Sequence, residues 1–339
     1  MKKRLLAALM AGAMALSMTA CGSSSGSDDS NAASGGDGAS AGSYKVGVVQ
    51  LMQHVALDAA TKGFQDKLTE LVEADGGKVE INVQNASGES NNCTTIISGF
   101  VSDGVDLILA NATAPLQAAA SATKTIPVLG TSITDYASAL LISNWNGTVG
   151  GNISGASDLA PLDQQAAMIK EWFPDAKNVG ILYCSAEANS KYQVDTITPF
   201  LEQLGYTVKS YSFTDTNDVA SVTKTACDES DVIYIPTDNT AASNGKAIAN
   251  VTVPAKTPVV AGEQGICSNC GVATLSIDYK SLGETTGKMA VKILKGESKV
   301  SEMPIEYSNS FVKYYNPDIC EQLGIKVPSD DYTALDTEG

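Results

Sequence analysis

The sequence predicts an α/β protein made of two similar doubly wound parallel-sheet lobes, with a hinge and a ligand cleft between them. Short β-rich runs alternate with longer segments of helical apolar spacing, a pattern typical of parallel sheets. The same order of segments returns about 130 residues later, which indicates a duplicated domain rather than a solenoid. The folded part is long enough for two domains of ordinary size.

The first half is expected to follow the order β-α-β-α-β-α-β. The helix after its first strand places Phe64, Leu68, Leu71 and Val72 on one face. The other predicted elements of this half are strands at 44–50, 79–83, 105–110 and 126–129, and helices at about 91–102 and 114–122.

Four segments of the second half echo the first half in the same order. The last pair is the clearest, because Lys-Thr-Ile-Pro-Val-Leu-Gly at 124–130 corresponds to Lys-Thr-Pro-Val-Val-Ala-Gly at 256–262. One echo could be chance, but four in one order indicate duplication. The other three pairs are 45–49 with 178–182, 79–83 with 208–212, and 106–109 with 231–234.

Two similar open sheets imply a ligand site between them. Such sheets bind ligands beyond the carboxyl ends of their strands, and closure about a hinge is the expected motion. The Gly- and Asn-rich segment 144–155 suits a first crossing between the lobes. A predicted helix at about 281–294 and a strand at 311–315 follow the second half, so further crossings are expected.

The N-terminus predicts export and membrane anchoring. Three basic residues at 2–4 and an uncharged run at 5–20 form a secretory signal that is too short to span a bilayer. The run ends at Ala20-Cys21, which resembles the bacterial lipoprotein signal, and this resemblance implies that Cys21 is lipidated and ends a signal segment at 1–21. Residues 22–43 are almost entirely Gly, Ser, Ala, Asn and Asp, and we expect a disordered tether there. An ordinary secretory signal with a chance cysteine is the alternative.

The charge balance excludes some partners and restricts ligand recognition. The formal net charge of −16 argues against nucleic acid, which demands a basic surface. The only arginine is Arg4, inside the predicted signal. An anionic group of a ligand must therefore be held by backbone N–H groups, hydroxyls or lysines instead of a guanidinium.

Six cysteines remain once Cys21 is set aside, at positions 93, 184, 227, 267, 270 and 320. Six cysteines allow fifteen connectivities, among which a sequence cannot choose. Cys267 and Cys270 suit a local disulfide or free thiols better than a redox motif, because no helix start of the thioredoxin kind precedes them. Zinc is disfavoured, since the other cysteines are scattered and His54 is the only histidine.

Several stretches resemble those of one family in sequence and in order. They lie at 48–50, 54–60, 155–158, 187–190, 236–240, 261–263 and 287–290. They resemble the ABC transporter substrate-binding family whose characterised members take up tryptophan, tyrosine or phenylalanine. The resemblance covers nearly all of the chain after the tether.

The resemblance implies a type I periplasmic-binding-protein fold with three crossings between lobes. The N-terminal lobe is then expected at 44–155 plus about 280–305, and the C-terminal lobe at 156–279 plus about 306–339. The implied function is the capture of a small ligand, an aromatic amino acid, by a monomer that docks on ABC permease subunits and needs no cofactor or metal.

Candidate ligand-binding residues lie where predicted strands end and helices begin. Thr113 is placed to meet a carboxylate with its hydroxyl and free N–H groups, or to be an ordinary helix cap. Asp238 is our first choice to meet a ligand ammonium, before Asp158 and Glu263, although each of these carboxylates suits a helix cap or a hinge brace equally well. The full candidate set is His54, Leu57, Thr113, Ala114, Asp158, Asn189, Ser190, Thr237, Asp238, Asn239 and Glu263.

His54 lies in a segment expected to face the cleft, so ligand contact and a purely structural role are both open. The chain has no second histidine, and the part after the predicted tether has no Gly-x-Ser-x-Gly nucleophile elbow and no clustered metal ligands, which argues against an enzyme. A sugar- or nucleoside-binding protein of the same fold is one alternative. A ligand-sensing module for a membrane receptor is another.

Overall fold

The computed structural model describes residues 42–336, which contain two parallel sheets, one in each lobe. The predicted signal at 1–21, the lipidated Cys21 and nearly all of the predicted tether lie outside the described residues. Within 42–336, no helix combines the length and apolar character needed to cross a bilayer.

The first lobe is a six-stranded sheet flanked by helices on both faces. Its strands are β1 (Ser43–Gln50), β2 (Lys78–Asn85), β3 (Leu107–Asn111), β4 (Val128–Ile133), β5 (Ile153–Ser157) and β11 (Glu306–Tyr307). Its helices are α1 (Val55–Ala74), α2 (Ser90–Asp103), α3 (Thr113–Ala122), α4 (Tyr136–Ala139) and α11 (Tyr279–Leu294), with a short 3-10 helix at Val300–Glu302.

The second lobe is a seven-stranded sheet built in the same way. Its strands are β6 (Asn178–Cys184), β7 (Thr207–Phe213), β8 (Val232–Ile235), β9 (Val259–Ala261), β10 (Ala273–Ser276), β12 (Val312–Tyr315) and β13 (Thr333–Ala334). Its helices are α5 (Leu162–Trp172), α6 (Ala188–Gln203), α7 (Val219–Glu229), α8 (Asn239–Ser243), α9 (Gly245–Ala255), α10 (Gln264–Cys270) and α12 (Pro317–Leu323).

The strand orders show the duplication that the sequence echoes predict. The first sheet runs β5-β4-β3-β1-β2 and the second runs β10-β9-β8-β6-β7, each with additional edge strands on the β5 or β10 side. The central strands β3 and β8 are buried along their whole length, as expected for parallel strands covered by helices on both faces. The predicted fold class is confirmed.

Strand β4 begins later than the sequence analysis expects. It starts at Val128 instead of Ile126, because Pro127 lacks the N–H that a ladder position would use. Its far end extends to Ile133, where Ser132 adopts a left-handed φ of 55° and the register with β5 shifts.

Three chain crossings join the lobes. The first lies between β5 and α5, the second between β10 and α11, and the third between β11 and β12. Strand β11 pairs with β5 through Glu306 and Tyr307, so the first lobe extends to Ser157 and Tyr307, slightly past the expected boundaries at 155 and 305.

All six cysteines of the described residues are free thiols. Cys267 and Cys270 lie in the short helix α10 and are buried, and burial raises the pKa of both thiols. Of the two structural interpretations, free thiols therefore hold for this pair, and a local disulfide does not.

Candidate functional site

A cavity of about 290 Å³ lies between the lobes, beyond the carboxyl ends of their strands. This is the position that open α/β sheets favour for ligands. The first lobe contributes Leu51, Met52, residues 87–90, Thr113, Ala114 and Gln117, and the second lobe contributes Cys184, residues 186–189, residues 214–216 and Thr240.

Three helices begin at the cavity wall without a capping side chain. The residues before α2, α3 and α6 are Glu89, Ala112 and Glu187, and none of them makes a side-chain hydrogen bond to the start of its own helix. Ala112 has a φ of 94°, a strained conformation for a residue with a Cβ. The uncapped N–H groups attract an anion, and no lysine or arginine is among the described residues that line the cavity. The same lining contains three carboxylates, those of Glu89, Glu187 and Asp215, so α3 is the helix start with no acidic residue beside it.

A buried polar network fixes the segment that enters the cleft from the first lobe. The amide nitrogen of Gln50 donates to the Met52 carbonyl oxygen at 2.8 Å and to Asp58 at 2.6 Å, while Thr61 donates to the Gln50 amide oxygen. Asn111 donates to the Leu57 carbonyl oxygen at 2.9 Å. This network holds residues 51–54 between β1 and α1, which sets the position of His54.

Three carboxylates are buried behind the cavity wall. Asp238 accepts from the backbone N–H of Cys184 at 2.6 Å and of Ala241 at 2.8 Å, so it caps α8 and ties it to β6. Glu263 caps α10 by accepting from the N–H groups of Gly265 and Ile266. The helix-cap alternative therefore describes both residues, although each carboxylate keeps lone pairs for a further donor.

Asp158 braces two of the three crossings. It accepts from the Thr134 hydroxyl at 3.1 Å and from the Tyr279 hydroxyl at 3.0 Å, which joins the first crossing to the start of α11. Burial raises the pKa of Asp158 to about 6. Burial and the neighbouring Glu187 charge also raise the pKa of Asp238.

The protein is expected to lose stability as pH rises between about 4 and 6. In that window the folded protein binds more protons than the unfolded chain, because Asp158 has a raised pKa only when folded, so the free energy of unfolding falls as pH rises. The raised pKa of Asp158 changes the free energy of unfolding by at most about 3 kcal/mol across this window.

Melting temperatures of the wild type and of Asp158→Asn across that window test this expectation. The introduced amide cannot ionise, so the variant should show a smaller fall in melting temperature, and an equal fall in both proteins would contradict it. The pKa of Asp238 is also raised, so the Asp158→Asn variant should keep a smaller fall in melting temperature as pH rises.

His54 reaches across the cleft to the second lobe. Its Nε2 lies 3.2 Å from the side-chain oxygen of Asn239, while its Nδ1 is buried without a partner among the described residues. A second cross-cleft contact joins Gln193 of α6 to the Thr134 hydroxyl at 3.5 Å. The lobes therefore touch directly, as expected for a closed conformation.

The candidates from the sequence fall into four groups. Thr113, Ala114 and Asn189 line the cavity, and His54 and Asn239 meet across the cleft. Thr237 contacts Gln193 and Asn189 through its backbone. The remaining candidates lie buried behind the cavity wall: Leu57, Asp158, Ser190, Asp238 and Glu263.

Sequence reasoning missed several cavity residues. Residues 87–90 and 214–216 follow the edge strands β2 and β7, and the rule that sites lie beyond strand ends could have found them. Glu187 and Thr240 lie in the family-like stretches 187–190 and 236–240 but are not among the selected candidates, because their roles depend on the contact between the start of α6 and α8.

Residues 45–332 match the family described as ABC transporter substrate binding protein. The chain is 34% identical over 330 residues to a tyrosine-binding protein of Clostridioides difficile (strain R20291), a match that covers 97% of this chain and 94% of the relative. It is also similar to the crystal structure of an ABC domain in complex with L-Trp from Streptococcus pneumonia, with a TM-score of 0.79, 35% identity and coverage of 84% of this chain and 95% of that one.

A second solved structure bears on the conformation. The ligand-free, open structure of a substrate-binding protein with adhesive properties from Clostridium difficile is 37% identical, yet its TM-score is only 0.67, with coverage of 87% of this chain and 100% of that one. The present arrangement of lobes is therefore nearer to the L-Trp complex than to the open form. Together with the fold and the interlobe cavity, the family match shows that this chain belongs to the ABC transporter substrate binding protein family and is a solute-binding protein of the type I periplasmic-binding-protein fold, not an enzyme.

Proposed function

We propose that this protein is a lipid-anchored extracytoplasmic receptor that captures an aromatic amino acid between its lobes and delivers it to an ABC importer. The ligand class is supported by two features of one cavity: uncapped helix N-termini, which suit a carboxylate, and a described lining with acidic residues but no lysine or arginine, which suits an ammonium group. Such a cavity suits a zwitterion better than a neutral sugar.

The ligand carboxylate is proposed to lie at the start of α3, against the N–H groups of Thr113 and Ala114. Both residues line the cavity, and the third residue of the helix, Pro115, has no N–H to offer. The start of α6 lies on the opposite wall and adds a second positive helix end.

The ligand ammonium is proposed to point toward the three carboxylates buried behind the cavity wall, Asp158, Asp238 and Glu263. Asp238 remains the first choice, because each of its oxygens accepts one backbone hydrogen bond and retains acceptor capacity. Hydrogen bonds and ion pairs to a cation would also stabilise the ionised forms of carboxylates whose pKa is raised by burial.

The proposal that the ligand has an aromatic side chain is supported by two relatives of more than 30% identity. One is named for tyrosine and the other was solved with L-Trp. The proposed mechanism is capture by closure: the open lobes admit the ligand, both walls desolvate it, and the closed monomer docks on a permease. The anchor rests on Cys21 and the tether after it, by resemblance to lipoprotein signals.

A thermal-shift screen against the twenty amino acids and common sugars tests this function. A ligand that binds only the folded state raises the melting temperature. We expect a rise with tyrosine, tryptophan or phenylalanine and none with sugars. A response to a sugar or nucleoside alone would refute the proposed ligand class while leaving the family unchanged.

A further inference from the structure

Glu187 precedes helix α6, yet its carboxylate serves the neighbouring helix α8. One oxygen accepts from the N–H and the hydroxyl of Thr240, each at 2.8 Å. The other accepts from the backbone N–H of Asn239 at 3.1 Å, from its side-chain amide at 2.6 Å, and from the Asn189 amide at 3.1 Å. Helix α8 already has its own cap in Asp238, so a second carboxylate is not needed to start the helix.

These five donors occupy the acceptor positions of the Glu187 carboxylate. A carboxylate offers about four lone-pair sites, so Glu187 has little capacity left for a ligand ammonium. Its side chain instead restricts the orientation of Asn239. A flipped amide would turn the Asn239 oxygen toward the Glu187 oxygens, two acceptors in contact.

The orientation of Asn239 in turn decides what it can offer to the other lobe. With its nitrogen on Glu187, its oxygen faces His54 Nε2 at 3.2 Å. Because that oxygen only accepts, His54 must carry a proton on Nε2 for a hydrogen bond to form. The His54–Asn239 contact is then a directed hydrogen bond between the two lobes.

We propose that Glu187 is a positioning residue that latches the closed lobes through Asn239 and His54 and thereby slows ligand release. This proposal rests on the proposed function, since the ligand held by the latch is an aromatic amino acid. The hydrogen bonds of Glu187 lie within the second lobe, so only the His54–Asn239 contact is expected to break when the lobes open, and the latch acts on the closed state.

The first test is the dissociation rate of L-tyrosine and L-tryptophan from wild type, Glu187→Gln, His54→Ala and the double variant. A glutamine can present its amide in either orientation, so it no longer fixes Asn239. We expect Glu187→Gln to release the amino acid about 3- to 10-fold faster, the range for losing one hydrogen bond. In the His54→Ala background the same substitution should add nothing, because the latch is already broken.

Asp231→Asn is the matched control. Asp231 also accepts backbone hydrogen bonds within the second lobe, from Lys177 and Asn178, but at the start of β6, the opposite end of the sheet from the cleft. Its loss should lower the melting temperature and leave the dissociation rate unchanged. Equal acceleration by Glu187→Gln with and without His54 would overturn the latch and leave Glu187 as a residue that acts through the cavity wall alone.

The second test uses the single histidine of the chain, whose ¹⁵N signals need no assignment. We expect the Nε2–H tautomer in wild type with ligand and a changed tautomer or exchange pattern in Glu187→Gln. Identical His54 spectra in the two proteins, with and without L-tyrosine, would overturn the latch whether or not the amino acid binds. Failure of the wild type to bind either amino acid would refute the proposed function instead.

Discussion

Replacing Ala114 with aspartate is expected to weaken binding of aromatic amino acids at least about 100-fold while leaving the fold as stable as before. Ala114 lines the cavity in the first turn of α3, next to the proposed carboxylate site. A second carboxylate there repels the carboxylate of the ligand, and such like-charge contacts cost several kcal/mol. For the helix itself, an acidic residue in the first turn is favourable by about 0.3–1 kcal/mol.

Loss of affinity at unchanged stability makes this variant informative, since a misfolded protein would lose both. Ser221→Asp is the matched control, because it places the same charge in the first turn of α7, at an exposed position outside the cavity lining. Calorimetric titration and thermal melting of both variants give the two readouts. Wild-type affinity in Ala114→Asp would show that the carboxylate does not bind at α3.

Replacing Gly283 with alanine is expected to destabilise the protein by about 3 kcal/mol, near the upper end for overpacking in a core. Helices α1 and α11 cross where Gly63 and Gly283 allow close approach of the backbones. A Cβ at Gly283 would lie 2.0 Å from the carbonyl oxygen of Ala60, and one at Gly63 would lie 2.1 Å from that of Lys280. Only separation of the two helices relieves these contacts.

The same separation would displace the start of α1, where His54 lies, so ligand affinity should fall as well. Gly99→Ala is the control, because Gly99 is exposed within α2 and a Cβ there meets nothing within 4 Å. That variant should be more stable by about 0.5–1 kcal/mol, the ordinary preference for alanine over glycine in a helix. Denaturant unfolding measures the stability of the two variants. Wild-type stability in Gly283→Ala would contradict the close crossing of α1 and α11.

The sheets could be predicted from the sequence because local patterns and the internal repeat agree. Each echoed segment became a strand at the equivalent place of its lobe: β1 and β6, β2 and β7, β3 and β8, β4 and β9. Short pieces such as α12 and β13 carry too few residues for a period to show. They are fixed by packing on the second lobe instead, as when Asn316 caps α12 and donates to the Cys267 carbonyl oxygen.

From the sequence, only the site residues near the carboxyl ends of strands could be predicted. Thr113, Ala114 and Asn189 lie in the first turn of a helix that follows a strand, and they line the cavity. Leu57 also lies after a strand, but it is seven residues before Phe64 on the same helix face and is buried in the core of the first lobe. Its helical spacing favoured a core position over a ligand contact.

The roles of the acidic residues depend on tertiary contacts that no local pattern contains. Glu187 and Asp238 both serve the start of α8, from different loops of the second lobe. Asp238 is predicted from its motif alone. The contact by which Glu187 orients Asn239 cannot be predicted in this way, because Glu187 lies before α6 and Asn239 begins α8, with strand β8 between them in the chain.

Calorimetric titration with L-tyrosine and two of its analogues tests most directly the claim that the cleft recognises an aromatic zwitterion. Tyramine lacks the carboxylate, and 3-(4-hydroxyphenyl)propionate lacks the ammonium group. We expect binding of L-tyrosine and at least about 100-fold weaker binding of both analogues, since each leaves one charged subsite of the cleft unpaired. Equal binding of all three compounds, or no binding of any aromatic amino acid, would contradict it.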